Sequence, residues 1–138
     1  MKVKISHNLD DIETLIEGLK RLADEIGAIT IFVGVVRGKR NDEKVLRLEY
    51  EAYEELASKV AEKIIEDAKT KYGIIDACIQ HRIGTVKVGG DIMYVLVASK
   101  HRAEAFQALS EIVERIKREI PIWKKEVTEK GSYWVENV

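Results

Sequence analysis

Apolar residues recur along the chain in two rhythms, every second position and every third or fourth, and the changes between them mark the elements. Val3 to Ile5 predict a short strand. Asn8 or Asp10 then caps a helix carrying Leu9, Ile12, Leu15, Leu19 and Leu22, with a break near Gly18. Ala28-Ile-Thr-Ile-Phe-Val-Gly-Val-Val36 is β-branched and apolar, which predicts a buried strand. The polar, basic connection Arg37-Gly-Lys-Arg-Asn-Asp42 leads to a strand with Val45, Leu46, Leu48 and Tyr50, and the two strands read as a hairpin. Tyr53 to Lys71 places Leu56, Val60, Ile64, Ile65 and Ala68 at helical spacing, with Gly73 as the stop. Ile74 to Ile83 and Ile92 to Ser99 are two further strands, joined by a segment in which Gly89 and Gly90 supply the positive φ angles of a turn. A phosphate cradle there would need a following helix, and a strand follows.

The last long helix begins near His101 and ends at Pro121, the chain's only proline. Proline lacks the N–H and drives the preceding residue out of the α region, so the chain after Ile120 is extended. Tyr133-Trp-Val-Glu136 gives a final short strand. Hairpin-paired strands with two or three amphipathic helices on one side make an α+β domain with a mostly antiparallel sheet. On the last helix, Phe106, Leu109, Val113, Ile116 and Ile120 share one arc, and Lys117 falls at its edge beside Phe106 and Val113. A lysine so placed loses part of its hydration, which lowers its pKa and suits it to hold an anion or move a proton. The same position also suits a lysine whose stem covers the core while its head reaches water.

With 138 residues, residues 1–138 fit one domain, large enough to fold without staples. The formal net charge of −1 argues against a dedicated nucleic-acid binder, which carries a basic excess, and leaves room for a local basic pocket. The single cysteine, Cys78, permits no disulfide within the chain and points to a reducing cytoplasm. No signal peptide and no apolar run of membrane-spanning length is present in the sequence. Asn and Gln number five while Lys and Glu abound, a bias that fits a thermophilic source.

His7, His81 and His101 share no metal-ligand spacing with one another or with Cys78, so no metal is expected. There is no P-loop, dinucleotide fingerprint or nucleophile elbow, and no cofactor is expected. What the chain offers is positive charge at the ends of elements: Arg37, His101, Arg102, Lys117 and Lys124. Gathered in one pocket they would bind an anion such as a phosphate.

Five segments, in order and spread over nearly the whole chain, then carry a resemblance: Phe32-Val-Gly-Val-Val-Arg37, Leu48-Glu-Tyr-Glu-Ala-Tyr53, His81-Arg-Ile-Gly84, His101-Arg-Ala-Glu-Ala-Phe106, and Lys117 with Pro121-Ile-Trp-Lys-Lys-Glu126. Together they resemble the large, catalytic subunit family of molybdopterin synthase. The resemblance implies a hammerhead-type α+β fold and a homodimer. Each protomer of that family binds a small ubiquitin-like subunit whose C-terminal Gly-Gly carries a thiocarboxylate, giving a heterotetramer. It also implies sulfur transfer to cyclic pyranopterin monophosphate, the step that builds the dithiolene of molybdopterin for molybdenum or tungsten. Lys117 and Lys124 would then be the catalytic pair, Arg37 with the Val35 and Val36 backbone would line the phosphate site, and His101 and Arg102 would join an anion pocket. Lys125 and Glu126 adjoin Lys124 in the matching motif. Some family members continue past the position of Trp134-Val-Glu136 into a basic tail, and any anion contact of such a tail would here be absent or supplied by Lys39 or Arg40. A non-catalytic adaptor that binds a ubiquitin-like tail or a phosphorylated metabolite in the same groove is the alternative reading.

Overall fold

The computed structural model describes residues 2–135. Its elements, in chain order, are β1 (Val3–Ser6), α1 (Ile12–Lys20), β2 (Ala28–Val35), β3 (Lys39–Arg40), β4 (Glu43–Ala52), α2 (Glu54–Tyr72), β5 (Asp76–Arg82), β6 (Gly84–Lys87), β7 (Asp91–Ser99), α3 (Arg102–Glu119), β8 (Ile122–Thr128) and β9 (Gly131–Val135). One sheet runs β1-β5-β7-β2, and the other runs β3-β4-β8-β9 with β6 also paired to β4. Only β1 with β5 is parallel among the described strand pairs, so the expected α+β, mostly antiparallel fold is present. Glu136, the last residue of the expected final strand, and Val138 lie outside the described residues.

The central strands of the first sheet, β5 and β7, are buried on both faces, which moves the helices from the single side expected to two sides. Ala77, Ile79, Val95 and Val97 pack under α2 and α3, while Cys78, Tyr94, Leu96 and Ala98 pack under α1 through Leu15, Ile16 and Leu19. The near-continuous apolar runs of β5 and β7 follow from that double coverage. The buried stripes of α2 and α3 are rich in alanine: Ala57, Ala61 and Ala68 on one, Ala105 and Ala108 on the other, with Ile64, Ile65, Ile112 and Ile116 between them. Small residues let the helix axes approach the sheet. The stripe of α3 is therefore rotated from the expected arc, and Phe106 is 62% exposed.

The expected hairpin between β2 and the strand after it does not form. Val36 donates its N–H to the Gly90 carbonyl and accepts from the Gly89 N–H, which turns the chain out of the first sheet directly after β2. β2 pairs with β7 instead, and the hairpin is β3 with β4, turning at Asn41 with φ 54°. β2 is an edge strand whose Ile31, Val33 and Val35 are exposed, so it is not buried on both faces as its β-branched composition suggested. α1 runs unbroken past Gly18 and is capped by Asp11, whose carboxylate accepts the Thr14 N–H at 3.1 Å. Asp10, an expected cap, exchanges hydrogen bonds with Gln80 of β5 instead.

The segment between β5 and β7 contains a strand, β6, that alternation over four residues did not reveal. Gly84 makes its entry possible at φ 81°, where a Cβ would also stand 2.7 Å from His7 Nδ1. Gly89 supplies the positive φ expected of the later turn, whereas Gly90 has no such φ. A Cβ at Gly90 would lie 2.9 Å from the Lys87 carbonyl oxygen, so close approach is its requirement.

Candidate functional site

The site is built where α3 gives way to β8. The Ile120 N–H closes the last helical bond, to Ile116, and Pro121 carries no N–H to continue the ladder, so Ile120 takes ψ 132° and the chain becomes a strand. β8 then pairs with β4 in the register Tyr50 with Lys124, Glu49 with Lys125 and Leu48 with Glu126. Because strand side chains alternate, Leu48, Tyr50, Lys124 and Glu126 face one way and Glu49 and Lys125 the other. On the outer side Lys125 pairs with Glu49 at 3.3 Å and lies over the Trp134 ring at 5.7 Å.

On the inner side is a cavity of about 410 Å³. Residues Phe32 to Val35 of β2 and Ile92 and Met93 of β7 form one wall, and Leu48 and Tyr50 of β4 form another. His81 of β5 lines it as well. The charged groups are Arg37, Lys117, Lys124 and Glu126, three cations to one carboxylate. Arg37 and Lys117 are exposed and Lys124 is half-buried. The desolvated lysine is thus Lys124 rather than Lys117. Burial holds the Lys124 ammonium below the usual lysine range, Glu126 pulls it back, and Lys117 and Arg37 push it further down.

Not every expected site residue reaches this cavity. Val35 lines it, but Val36 is buried in the adjoining core with its backbone tied to Gly89 and Gly90. Lys125 faces outward, as described. His101 and Arg102 stand at the start of α3, on the order of 23 Å along the helix from Lys117 at 1.5 Å per residue. His101 Nδ1 lies 3.3 Å from Glu104 there. Arg40 reaches the site through Glu126, 3.3 Å from its Nε, while its guanidinium also stacks over Tyr133. Lys39 is exposed on β3 and does not line the cavity.

Two residues with polar side chains in the cavity wall, Tyr50 and His81, had not been singled out as site residues. Tyr50 is buried, and burial with the Glu126 charge raises its phenol well above the usual range. His81 is fully buried, its ring edge-on to Tyr50 at 5.1 Å and 74°. Its Nδ1 lies 2.7 Å from the Arg82 carbonyl oxygen, while Nε2 has no hydrogen-bond partner. Burial, with a smaller push from Lys124, lowers the imidazole to about 4. The signal in the sequence was parity: His81 falls in step with Ala77 and Ile79 on the inward row of β5. Arg82 Nε is also buried without a partner, but Arg82 lies with Asn8, Asp91 and Tyr94 in a separate depression.

The arrangement can attract an anion and hold it among three cations. It brings no sulfur nucleophile. Cys78 faces α1 on the opposite side of the sheet, and burial pushes its thiol up to about 11. No cluster of metal-ligating side chains is present among the described residues.

Residues 5–119 match the model of the MoaE protein family. The chain is 46% identical over 110 residues to the molybdopterin synthase catalytic subunit of Pyrococcus abyssi, spanning 80% of this chain and 74% of that one. Among solved structures, it superposes on the X-ray crystal structure of molybdopterin synthase from Staphylococcus aureus with a TM-score of 0.91 and 33% identity, over 98% of this chain and 97% of that one. It superposes on a chain of the complex of subunits 1 and 2 of molybdopterin-converting factor from Helicobacter pylori with a TM-score of 0.79 and 25% identity, over 99% and 91%.

Proposed function

Because the chain belongs to the MoaE protein family, we propose that it is the sulfur-transferring subunit of a molybdopterin synthase, with residues 1–138 acting as one catalytic domain. It takes sulfur from the C-terminal thiocarboxylate of a small ubiquitin-like subunit and delivers it to cyclic pyranopterin monophosphate. The observation that carries this reading is the convergence of Arg37, Lys117 and Lys124 on one cavity whose wall contributes no thiol. Both reactants are anionic, and the sulfur arrives on the partner, so the chain has to supply positive charge and shape rather than a nucleophile. In this scheme one lysine fixes the thiocarboxylate and stabilises charge developing on its acyl group. The other serves the phosphate or a proton transfer, and Arg37 beside Val35 holds the phosphate, the Val36 N–H and carbonyl being engaged by Gly90 and Gly89.

The working assembly is a homodimer that binds two small subunits. An anion pocket that includes His101 and Arg102 has to draw them from a second protomer, given their separation from Lys117 along α3. We place the reaction in the cytoplasm of a thermophilic source, in keeping with the single reduced thiol and the scarcity of Asn and Gln. No described helix is long and apolar enough to cross a membrane.

The test is to mix the protein with a thiocarboxylated small subunit and the cyclic pterin and to follow dithiolene formation. Product with stoichiometric consumption of thiocarboxylate is expected. Tight binding of both reactants without product would make the protein an adaptor.

A further inference from the structure

His81 combines features that sulfur transfer by the two lysines leaves unused. The Arg82 carbonyl can only accept, so the 2.7 Å contact requires that Nδ1 carry the hydrogen. Nε2 is then a bare lone pair. The neutral form persists through the physiological range, since burial holds the imidazole down to about 4. The ring is fixed by Tyr50 against one edge and by the pairing of His81 with Ile5 and Met93 on the neighbouring strands. A fully buried acceptor with no donor among the protein's groups is rare.

The groups around the cavity narrow the choice of donor. Glu126 of β8 is a carboxylate, and Arg37 after β2 and Lys117 of α3 sit exposed. Tyr50 of β4 presents its ring to His81. Lys124 stands opposite Tyr50 in the register of β4 with β8, and it is the cation whose charge reaches the imidazole. We propose that His81 is a positioning residue for Lys124: with the cavity filled, Nε2 accepts one N–H of the lysine and turns its remaining donors onto the bound anion. The inference rests on the assignment of Lys124 to sulfur transfer.

A neutral acceptor suits this task better than a carboxylate. A lysine head is a point charge on a flexible stem, and here Lys117 and Arg37 repel it outward. A carboxylate in place of His81 would tether Lys124 but cancel the charge that the anion needs. An uncharged imidazole nitrogen tethers it and leaves the cation intact.

Two substitutions separate tether from scaffold. His81→Asn keeps a donor near the Arg82 carbonyl and loses the acceptor at the Nε2 position, whereas His81→Gln places an amide oxygen near Nε2. Each is assayed as the full chain with thiocarboxylated small subunit and saturating cyclic pterin. The expected result is a fall in kcat on the order of 10–100-fold for His81→Asn, with KM for the pterin within about threefold of wild type and His81→Gln recovering most of the rate. The Lys124 titration, read by NMR on labelled lysine with the pterin or with inorganic phosphate as the anion, should move to lower pH in His81→Asn and stay in place in His81→Gln. That sign follows because losing an acceptor disfavours the ammonium.

Wild-type kcat in a folded His81→Asn overturns the proposal. So does a folded His81→Gln that is impaired, or an unmoved Lys124 midpoint in His81→Asn. Should His81→Asn not fold, His81→Gln alone decides, since the tether requires it to work. If the wild-type protein makes no dithiolene, the sulfur-transfer assignment fails, and the Lys124 midpoint measured with inorganic phosphate still judges the tether by itself.

Discussion

Replacing Lys124 by methionine keeps the aliphatic stem and removes one of the three cations facing the cavity, and its effect can be sized from the geometry. A sphere of about 410 Å³ has a radius of about 4.6 Å, so an anionic group at its centre lies about 5 Å from a charge on the wall. At an effective dielectric of about 20, one such pair is worth about 3 kcal/mol, or roughly 10²-fold in rate if the charge develops in the transition state. The loss expected on removing one preorganised stabilising group is of the same order, about 10²–10³. Stability should move the other way. Lys124 is held below its ordinary value near 10.5, so the unfolded chain binds the proton more tightly than the folded one. The wild-type protein therefore carries a penalty at neutral pH that is relieved as pH climbs from the depressed folded pKa to the unfolded one. Lys124→Met should melt at or above the wild-type temperature at pH 7, and that advantage should vanish above the unfolded pKa. The assay is single-turnover dithiolene formation with both reactants saturating, alongside calorimetry at pH 7 and at alkaline pH. Turnover within about threefold of wild type would refute the electrostatic argument, since the estimate of about 3 kcal/mol leaves no room for so small an effect.

Four further substitutions test the assignment, three at the cavity and one on the opposite side of the sheet. Lys117→Met, at an exposed position, should change stability by no more than about 0.5 kcal/mol yet lower turnover on the order of 10²-fold, and Lys117→Arg should not restore it because a planar guanidinium neither fits the volume nor releases a proton. Arg37→Ala should weaken pterin binding by about 10–100-fold, the worth of a charge-assisted phosphate contact, while titration calorimetry with the small subunit is unaltered. Equal loss of both affinities would make Arg37 a structural residue of the loop before β3. Cys78→Ala should leave sulfur transfer unchanged, and in the native protein iodoacetamide at pH 8 should fail to label Cys78; labelling at the rate of a free thiol would contradict its burial and a pKa near 11.

The elements were largely legible because their signals are local. Pro121 ended α3 at the residue anticipated, Gly73 ended α2, and the α+β alternation followed from apolar periodicity. Pairing was less legible, because it depends on what happens outside a strand. The exit of β2 is decided by two backbone bonds from Val36 to Gly89 and Gly90, more than fifty residues away, and nothing in residues 28–52 announces them. Burial failed where small residues carried the message: Ala105 and Ala108 set the inward face of α3, yet a count of large apolar side chains points to Phe106. At the site, Lys117 drew notice through its helix edge, but the partly buried cation is Lys124, which a strand pattern of two consecutive lysines could not single out. His81 was visible as a histidine in an apolar row and at the head of one family-like segment, but its unpartnered nitrogen is a property of the folded state.

The alternation of β8 makes the reaction centre a matter of counting. Lys124 faces the cavity because an odd number of residues separates it from Ile120 as the strand leaves Pro121, and its neighbour Lys125 faces away by the same rule. Loss of one residue in this stretch would reverse every side chain that follows it. At most positions such a slip swaps an apolar side chain for a polar one, but here it would exchange one lysine for another. The carboxylate would have no such replacement: Val127 would stand where Glu126 does, and Arg40 would lose its partner. The doubled lysine therefore leaves β8 able to present an amine in either reading frame, with its acidic neighbour confined to one.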